Sequence, residues 1–469
     1  MSRLVAISNR VALPDRRGDA QGGLATGLLS AMRRHGGLWF GWSGKLVEQP
    51  VMEPEILEEE GVSFATLPLT PREFDRYYLG FANSMLWPLC HSRLNLLRYR
   101  EGDHRAYLEV NRRFARSLAP LLREDDLVWV HDYHFLPLGR ELRRAGVRQP
   151  IGFFLHIPFP FPDTLRALPD HEELLRSMLD YDVVGFQTPL DVEAFLTSAR
   201  HCCPGAHIRG DHVELQGRRV QVKAFPIGID VDSVTRMAHK GRRGIHGQRL
   251  ETSLTGRRLI IGVDRLDYSK GLPERFRAYG RMLELSPEYR RKVVLLQIAP
   301  LSRTEVAEYD DLRREINAIA GDIHARFAEY DWLPLRYMTR GFPRATVMGF
   351  LSLASIGLVT PMRDGMNLVA KEYCAAQPQD DPGVLVLSSL AGAALQLKDA
   401  LIVNPYNVDG MAAAIAQGMS MPLEERRARH GRMLASLRSA DVHRWVADFT
   451  GALQESGARR QHDTRQIAP

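Results

Sequence analysis

Arg265 and Lys270 stand on a loop after the apolar run Leu259 to Val263, followed by Gly271 and a helical pattern. An arginine offers a planar fork and a lysine a point charge, a pair suited to a diphosphate. The alternative reading is two surface cations in weak ion pairs. A second segment, GLVTPMRDGMNLVAKEY from Gly357 to Tyr373, repeats the arrangement. Gly357 to Thr360 read as a buried strand end, Pro361 to Gly365 as a turn, and Asn367 to Tyr373 as the start of a helix. A helix start just past a strand end presents N–H groups to an anion. Asp364 is placed to accept bonds from sugar hydroxyls, and Glu372, one turn into the helix, to reach a ribose. Asp364 as a simple cap and Glu372 as a solvated acid is the competing reading. Two such loops after two strands of one predicted sheet favour a phosphorylated ligand.

Further polar groups gather at strand ends in the first half of the chain. Arg10 closes SNR after the first apolar run, and Gly22, Gly23 and Gly27 follow without the GxGxxG spacing of a nicotinamide site. Gly22 and Gly23 allow close backbone approach to a ligand, or tight packing. VWVHDYHFLP carries His131, Asp132 and His134, and FFLHIPFPFP carries His156. A third and fourth metal ligand at familiar spacing are missing, so no metal is expected. Asp132 fits a sugar-hydroxyl acceptor, whereas a lone His156 reads first as a satisfied structural histidine.

The elements that hold these residues are apolar runs separated by helical stretches: Leu4 to Ile7, Leu127 to Val130, Ile151 to Leu155, Val183 to Phe186 and Val220 to Val222, then Leu259 to Val263, Val293 to Ile298, Ile356 to Val359, Val384 to Leu387 and Leu401 to Val403. Near-continuous apolar strands alternating with helices predict parallel sheets covered on both faces, hence an α/β fold. The Arg-, His-, Gly- and Ser-rich stretch Ser233 to Gly256 marks the expected boundary. It divides the chain into a Rossmann-like domain at 1–235 and another at 236–455, with the last helix able to cross back onto the first. Two such domains would face each other across a deep cleft and close over ligands. Residues 456–469, polar and basic, are expected to be a disordered tail.

Composition narrows the function classes. At 469 residues the chain has room for two or three domains. The net charge of +6 is small for that length, and the cations are dispersed among acids, so nucleic acid is not an expected partner. No run of ~18 apolar residues is present, so no membrane span is expected. The start, MSRLVAISNR, enters a strand without a secretory segment, and the four cysteines fit neither a disulfide framework nor a zinc ribbon. A cytoplasmic protein with reduced thiols is the expectation.

Assembled in order, SNR, GGL, LWFGWSG, YYLGFANSMLWP, HDYH, LHIPFP, GFQT, FPIGID, RLDYSKGLPERF, QIAPLSR, RDGMNLVAKEY and NPY cover nearly all of the chain. This series resembles the trehalose-6-phosphate synthases of the bacterial type, retaining glycosyltransferases of the GT-B fold with two Rossmann-like domains. The resemblance implies transfer of glucose from UDP-glucose to glucose 6-phosphate, giving α,α-trehalose 6-phosphate and UDP, in trehalose biosynthesis and the response to osmotic stress. It implies that Arg265 and Lys270 bind the donor diphosphate and Glu372 the ribose. Asp364 with Gly365, Met366 and Asn367 would take the donor glucose. Gly22, Gly23 and the segment Leu368, Val369, Ala370, Lys371, Glu372 would line the donor site, Phe342 would meet the base, and His156 the donor sugar. Arg10, Tyr78 and Arg303 would hold the acceptor phosphate, with Asp132 and Trp87 at the acceptor sugar. Asp264 where Glu is usual, Phe135 for Leu and Leu301 within APLSR are departures that remove none of these contacts.

Retention by double displacement would need a carboxylate nucleophile, and the motifs supply no candidate. The resemblance implies front-face transfer instead, with the leaving phosphate taking the acceptor proton and with Arg265, Lys270, His156 and Asp132 as the catalytic set. No cofactor or metal is expected. A homo-oligomer, a homotetramer in the family's manner, and a separate trehalose-6-phosphate phosphatase are the implied partners. The rival readings are a related retaining transferase using another donor, such as GDP-glucose, or another acceptor, such as glycerol 3-phosphate, and a catalytically silent sugar-phosphate sensor.

Overall fold

The computed structural model describes residues 2–11, 13, 28–29, 32–33, 36–301 and 307–467. Its internal contacts divide the chain into two units: the first extends to Pro226 and resumes at His443, and the second spans Ile227–Val442.

The first unit is built on β1 (Leu4–Arg10), β2 (Gly37–Leu46), β3 (Glu55–Glu59), β4 (Val62–Leu69), β5 (Leu127–His131), β6 (Ile151–Phe154), β7 (Val183–Phe186), β8 (His207–Arg209), β9 (His212–Leu215) and β10 (Arg218–Ala224). They form one sheet in the order β3-β4-β2-β1-β5-β6-β7-β10-β9-β8. The strands from β4 to β10 in that order are parallel, and β3, β9 and β8 add antiparallel edges. Every residue of β5, β6 and β7 is buried, as strands covered on both faces require.

One of those covers comes from the far end of the chain. The helix Val442–Ile467 lays Phe449 flat on Trp129 of β5, with ring centroids 4.3 Å apart and an interplanar angle of 9°. Gly152 in β6 makes room for it, since a Cβ there would lie 2.6 Å from the Phe449 ring. Gly457, two turns beyond Phe449, rests on Pro150. The tail expected to be disordered from residue 456 is helical as far as Ile467, with its first turn docked through Gly457 on Pro150.

In the second unit β11 (Arg258–Val263), β12 (Val293–Ile298), β13 (Leu335–Met338), β14 (Ile356–Val359), β15 (Val384–Ser388) and β16 (Leu401–Val403) form a wholly parallel sheet ordered β13-β12-β11-β14-β15-β16. Strand order reverses between β11 and β14, the point at which Rossmann-like sheets open a crevice for ligands. The stretch 233–256 lies in two helices, Val231–Arg243 and Ile245–Leu254, and the position 235/236 falls inside the first of them. Asp230 caps that helix, accepting the Ser233 N–H at 2.8 Å. Entry and exit of this unit pass side by side: a Cβ on Gly228 would lie 2.2 Å from the Ala440 carbonyl oxygen. Among the described residues no helix is long and apolar enough to cross a membrane.

Candidate active site

The loops after β11 and β14 are the centre of the second unit's polar chemistry. Asp267 folds the first loop, accepting the Ser269 N–H at 3.0 Å and the Tyr309 hydroxyl at 2.9 Å. Gly271 then opens the helix Leu272–Leu285 with a φ of +64°, and a Cβ there would lie 2.6 Å from the Thr360 carbonyl oxygen. The Met362 N–H donates to the Ser269 carbonyl at 2.8 Å, so the two loops touch through backbone.

Side chains join them again. Lys270 Nζ donates to Asp364 Oδ2 at 2.5 Å, and Asn367 Nδ2 reaches the same oxygen at 3.1 Å. Asn367, not Asp364, caps the helix Leu368–Ala376, its side chain accepting the Ala370 N–H at 3.3 Å from a left-handed backbone with φ +73°. Asp364 is thus left to hold Lys270 and Asn367, while its own backbone pairs with Leu390 and Gly392. Arg265 is exposed on the rim of the first loop. Gly365 and Met366 are buried in the turn, and Leu368 and Val369, half-buried, form the first turn of the helix.

Below this surface lies Arg275, fully buried and absent from the sequence reading. Its guanidinium donates to Asp264 at 2.6 Å, Gln297 at 2.9 Å, Thr360 Oγ1 at 3.1 Å and the Lys270 carbonyl at 3.2 Å. Burial pushes the Asp264 carboxyl up, and Arg275 and Lys270 oppose the shift. A signal existed: Arg275 lies three residues after Leu272 and four before Tyr279, on the apolar stripe of its helix.

Glu372 is buried, and its Oε1 accepts from Arg344 Nη2 at 2.7 Å. Burial raises its pKa and Arg344 works against the rise. Arg344 opens the helix Arg344–Leu353 two residues after Phe342, whose ring meets Phe350 edge-on at 5.4 Å and lies under the Arg340 guanidinium. Lys371 turns the other way. Its amine is fully buried, donates to the Ile227 carbonyl at 2.5 Å, and is brought by burial to a pKa of about 7.

In the first unit Arg10 lies at the end of β1 with its guanidinium 5.9 Å from the Trp42 ring centre. Trp42 packs on Tyr78 at 5.5 Å, and Tyr78 stacks on His134 at 5.9 Å and 12°. Tyr78 belongs to a π-helical stretch, Phe74–Leu86, a form that often accompanies functional sites. Trp87 is buried against His91 and Tyr133. Asp132 has a φ of +76°, costly for a side-chain-bearing residue, and is held there by its N–H bond to the Phe154 carbonyl at 2.8 Å. Its Oδ1 accepts the His156 N–H at 3.3 Å. His156 Nε2 lies 3.2 Å from His131 Nδ1, and burial lowers its pKa to about 3, so the ring is neutral at pH 7. It can exchange hydrogen bonds there but carries no positive charge.

Lys270, Asp364 and Asn367 are therefore brought into contact, as are Asp132 with His156 and Arg10 and Tyr78 with the shared Trp42 ring. Gly22, Gly23 and Arg303 lie outside the described residues. Among the described residues no group of three or more His, Cys, Asp or Glu is arranged to hold a metal ion.

Residues 12–455 match the description Glycosyltransferase family 20. A trehalose-6-phosphate synthase of Klebsiella pneumoniae is 47% identical over 98% of this chain and 97% of its own. The crystal structure of a UDP-forming α,α-trehalose-phosphate synthase from Burkholderia xenovorans in complex with glucose 6-phosphate superimposes with a TM-score of 0.92 at 46% identity, covering 96% of this chain and 100% of that one. An E. coli protein solved with UDP-2-fluoro glucose gives 0.91 at 42% identity, covering 96% and 99%.

Proposed function

We propose, from the premise that this chain belongs to glycosyltransferase family 20, that it is a UDP-forming α,α-trehalose-phosphate synthase. It transfers glucose from UDP-glucose to glucose 6-phosphate with retention of configuration, giving α,α-trehalose 6-phosphate and UDP. The relatives support both ligands: one was crystallised with the acceptor and another with a fluorinated donor. The observation that supports the reading is the contact of Lys270 with Asp364, a cation and a carboxylate on facing loops at the switch point, beside a helix start.

In this reading Lys270 and Arg265 grip the diphosphate, Glu372 the ribose and Phe342 the base. Asp364 with Gly365, Met366 and Asn367 takes the glucose, joined by His156; Gly22, Gly23 and the backbone of 368–372 complete the donor side. Arg10, Tyr78 and Arg303 hold the acceptor phosphate, and Asp132 and Trp87 its sugar. An acceptor hydroxyl attacks the anomeric carbon on the face the diphosphate leaves, and the departing phosphate oxygen takes its proton. The two cations and the helix start stabilise the charge that develops on UDP, so rate comes from positioning and electrostatics. With the diphosphate neutralised by side chains, the step runs without a metal and survives EDTA.

We place the enzyme in the cytoplasm, in keeping with four buried cysteines that form no disulfide. A homotetramer and a separate downstream phosphatase complete the proposal. Purified protein incubated with UDP-, GDP- or ADP-glucose and glucose 6-phosphate tests it. UDP-glucose should give α,α-trehalose 6-phosphate; no product, or a preferred acceptor other than glucose 6-phosphate, overturns it.

A further inference from the structure

We propose that Arg275 is a positioning residue for the donor: it locks the two diphosphate-facing loops in register from beneath, so that Lys270 can leave Asp364 for the ligand without the loops separating. The inference rests on Lys270 being a diphosphate ligand. It goes beyond that reading by assigning a role to a side chain that touches no substrate.

The loops are joined twice by side chains. At the surface, Lys270 Nζ meets Asp364 at 2.5 Å, both groups being mostly buried. Beneath, Arg275 bonds Thr360 Oγ1 on the β14 side, and the Lys270 carbonyl and Asp264 on the β11 side. The surface joint occupies the groups a donor would use. An arriving diphosphate competes with Asp364 for the ammonium, and an arriving sugar hydroxyl competes with Lys270 for the carboxylate. The lower joint is not consumed in that exchange. Its bond across the loops is between Arg275, 0% exposed, and Thr360, 1% exposed, out of a ligand's reach.

The chemistry of Arg275 suits a lock. A guanidinium presents five N–H donors in a fixed plane, and here they are divided among the ends of three strands: Asp264 after β11, Gln297 in β12 and Thr360 after β14. Asp264 compensates the buried charge, with side-chain exposures of 0% and 3% for the pair. A lysine could keep that pairing but could not span all three strand ends. Arg275 also holds the carbonyl of Lys270 itself, one peptide from Gly271, so the backbone that aims the Lys270 side chain is fixed at both of its neighbours.

Two substitutions test the lock. Thr360→Val keeps the shape of the side chain and removes only the acceptor for Arg275 Nε, and Arg275→Lys keeps the charge opposite Asp264. Each is read by UDP titration calorimetry, by steady-state kinetics with UDP-glucose varied and then glucose 6-phosphate varied, and by melting temperature. For Thr360→Val the expected result is UDP affinity and donor kcat/KM lower by three- to tenfold, with acceptor KM within twofold of wild type. Arg275→Lys should give the same pattern, larger, and the donor effect should not follow the melting temperature. Donor kcat/KM and UDP affinity of Thr360→Val within twofold of wild type overturn the proposal, whether or not Arg275→Lys folds. Equal shifts for donor and acceptor overturn it too. Failure of the functional reading looks different: wild type that binds UDP without making product removes the transferase, while the UDP titration still decides the lock. Wild type that neither binds UDP nor turns over sinks both.

Discussion

Glu372 and Arg344 meet at 2.7 Å across the starts of two helices, Leu368–Ala376 and Arg344–Leu353. The contact orients a buried carboxylate and counters the burial that pushes its pKa up. Arg344→Gln should therefore leave Glu372 less ionised and less fixed, raising the donor KM about tenfold, or ~1.4 kcal/mol, with kcat at saturating donor little changed. Steady-state kinetics would refute this if acceptor KM rose and donor KM did not.

Arg265 and Lys270 are assigned to charge that grows as UDP leaves. Arg265→Ala or Lys270→Ala should lower kcat by about 10²–10³ while circular dichroism and melting remain near wild type. Turnover within threefold of wild type would remove them from the mechanism.

Lys371 gives a pH signature unrelated to turnover. Its folded pKa is about 7 against an ordinary value of 10.5, so between those values the folded chain binds fewer protons than the unfolded one. Stability from this group therefore rises with pH across that window, by up to ~1.4 kcal/mol per pH unit. Lys371→Met lacks the term. The gap in urea midpoint between wild type and variant should shift in favour of wild type from pH 7 to pH 9.5, and a constant gap would show that the amine is not buried as described.

Phe449 tests the last helix as a cover for the first sheet. Phe449→Ala removes a ring stacked on Trp129 and seated at Gly152, and should cost about 3–5 kcal/mol. Denaturant unfolding with a loss under ~1 kcal/mol would mean that the helix docks weakly.

Most of the buried strands were legible because each is a run of apolar residues with turn chemistry after it; Leu259 to Val263 and Val293 to Ile298 lie within or match β11 and β12, whereas β2 and β4, mostly buried, were not among the runs read. β13 escaped because Leu335-Arg336-Tyr337-Met338 forms a sheet edge and buries fully only Leu335. β8, at the sheet edge, and β9 beside it are short strands in which polar residues are half the sequence or more. At the site, a strand end, a turn and a helix start could be read locally, and the loop carrying Lys270 likewise. Arg344 could not, since it looks like a surface cation until Glu372, 28 residues away, is folded onto it; Arg275 betrays its burial only through the apolar stripe it shares, its partner Thr360 lying 85 residues away. Lys371 differs in the opposite sense: its segment was expected to line a ligand, while its place on the helix sends the amine inward to Ile227.

The close passage of Gly228 by Ala440 makes the second unit a cassette spliced into the first. Its two ends emerge at one spot, so it can be lifted out as a closed piece or exchanged for a relative's without lengthening the junction. A protease nick between Pro226 and Ile227 would not release a fragment either, because the severed halves stay clasped through the ring of Phe449 on Trp129. Donor preference could thus be altered by graft, leaving the host sheet and its returning helix untouched.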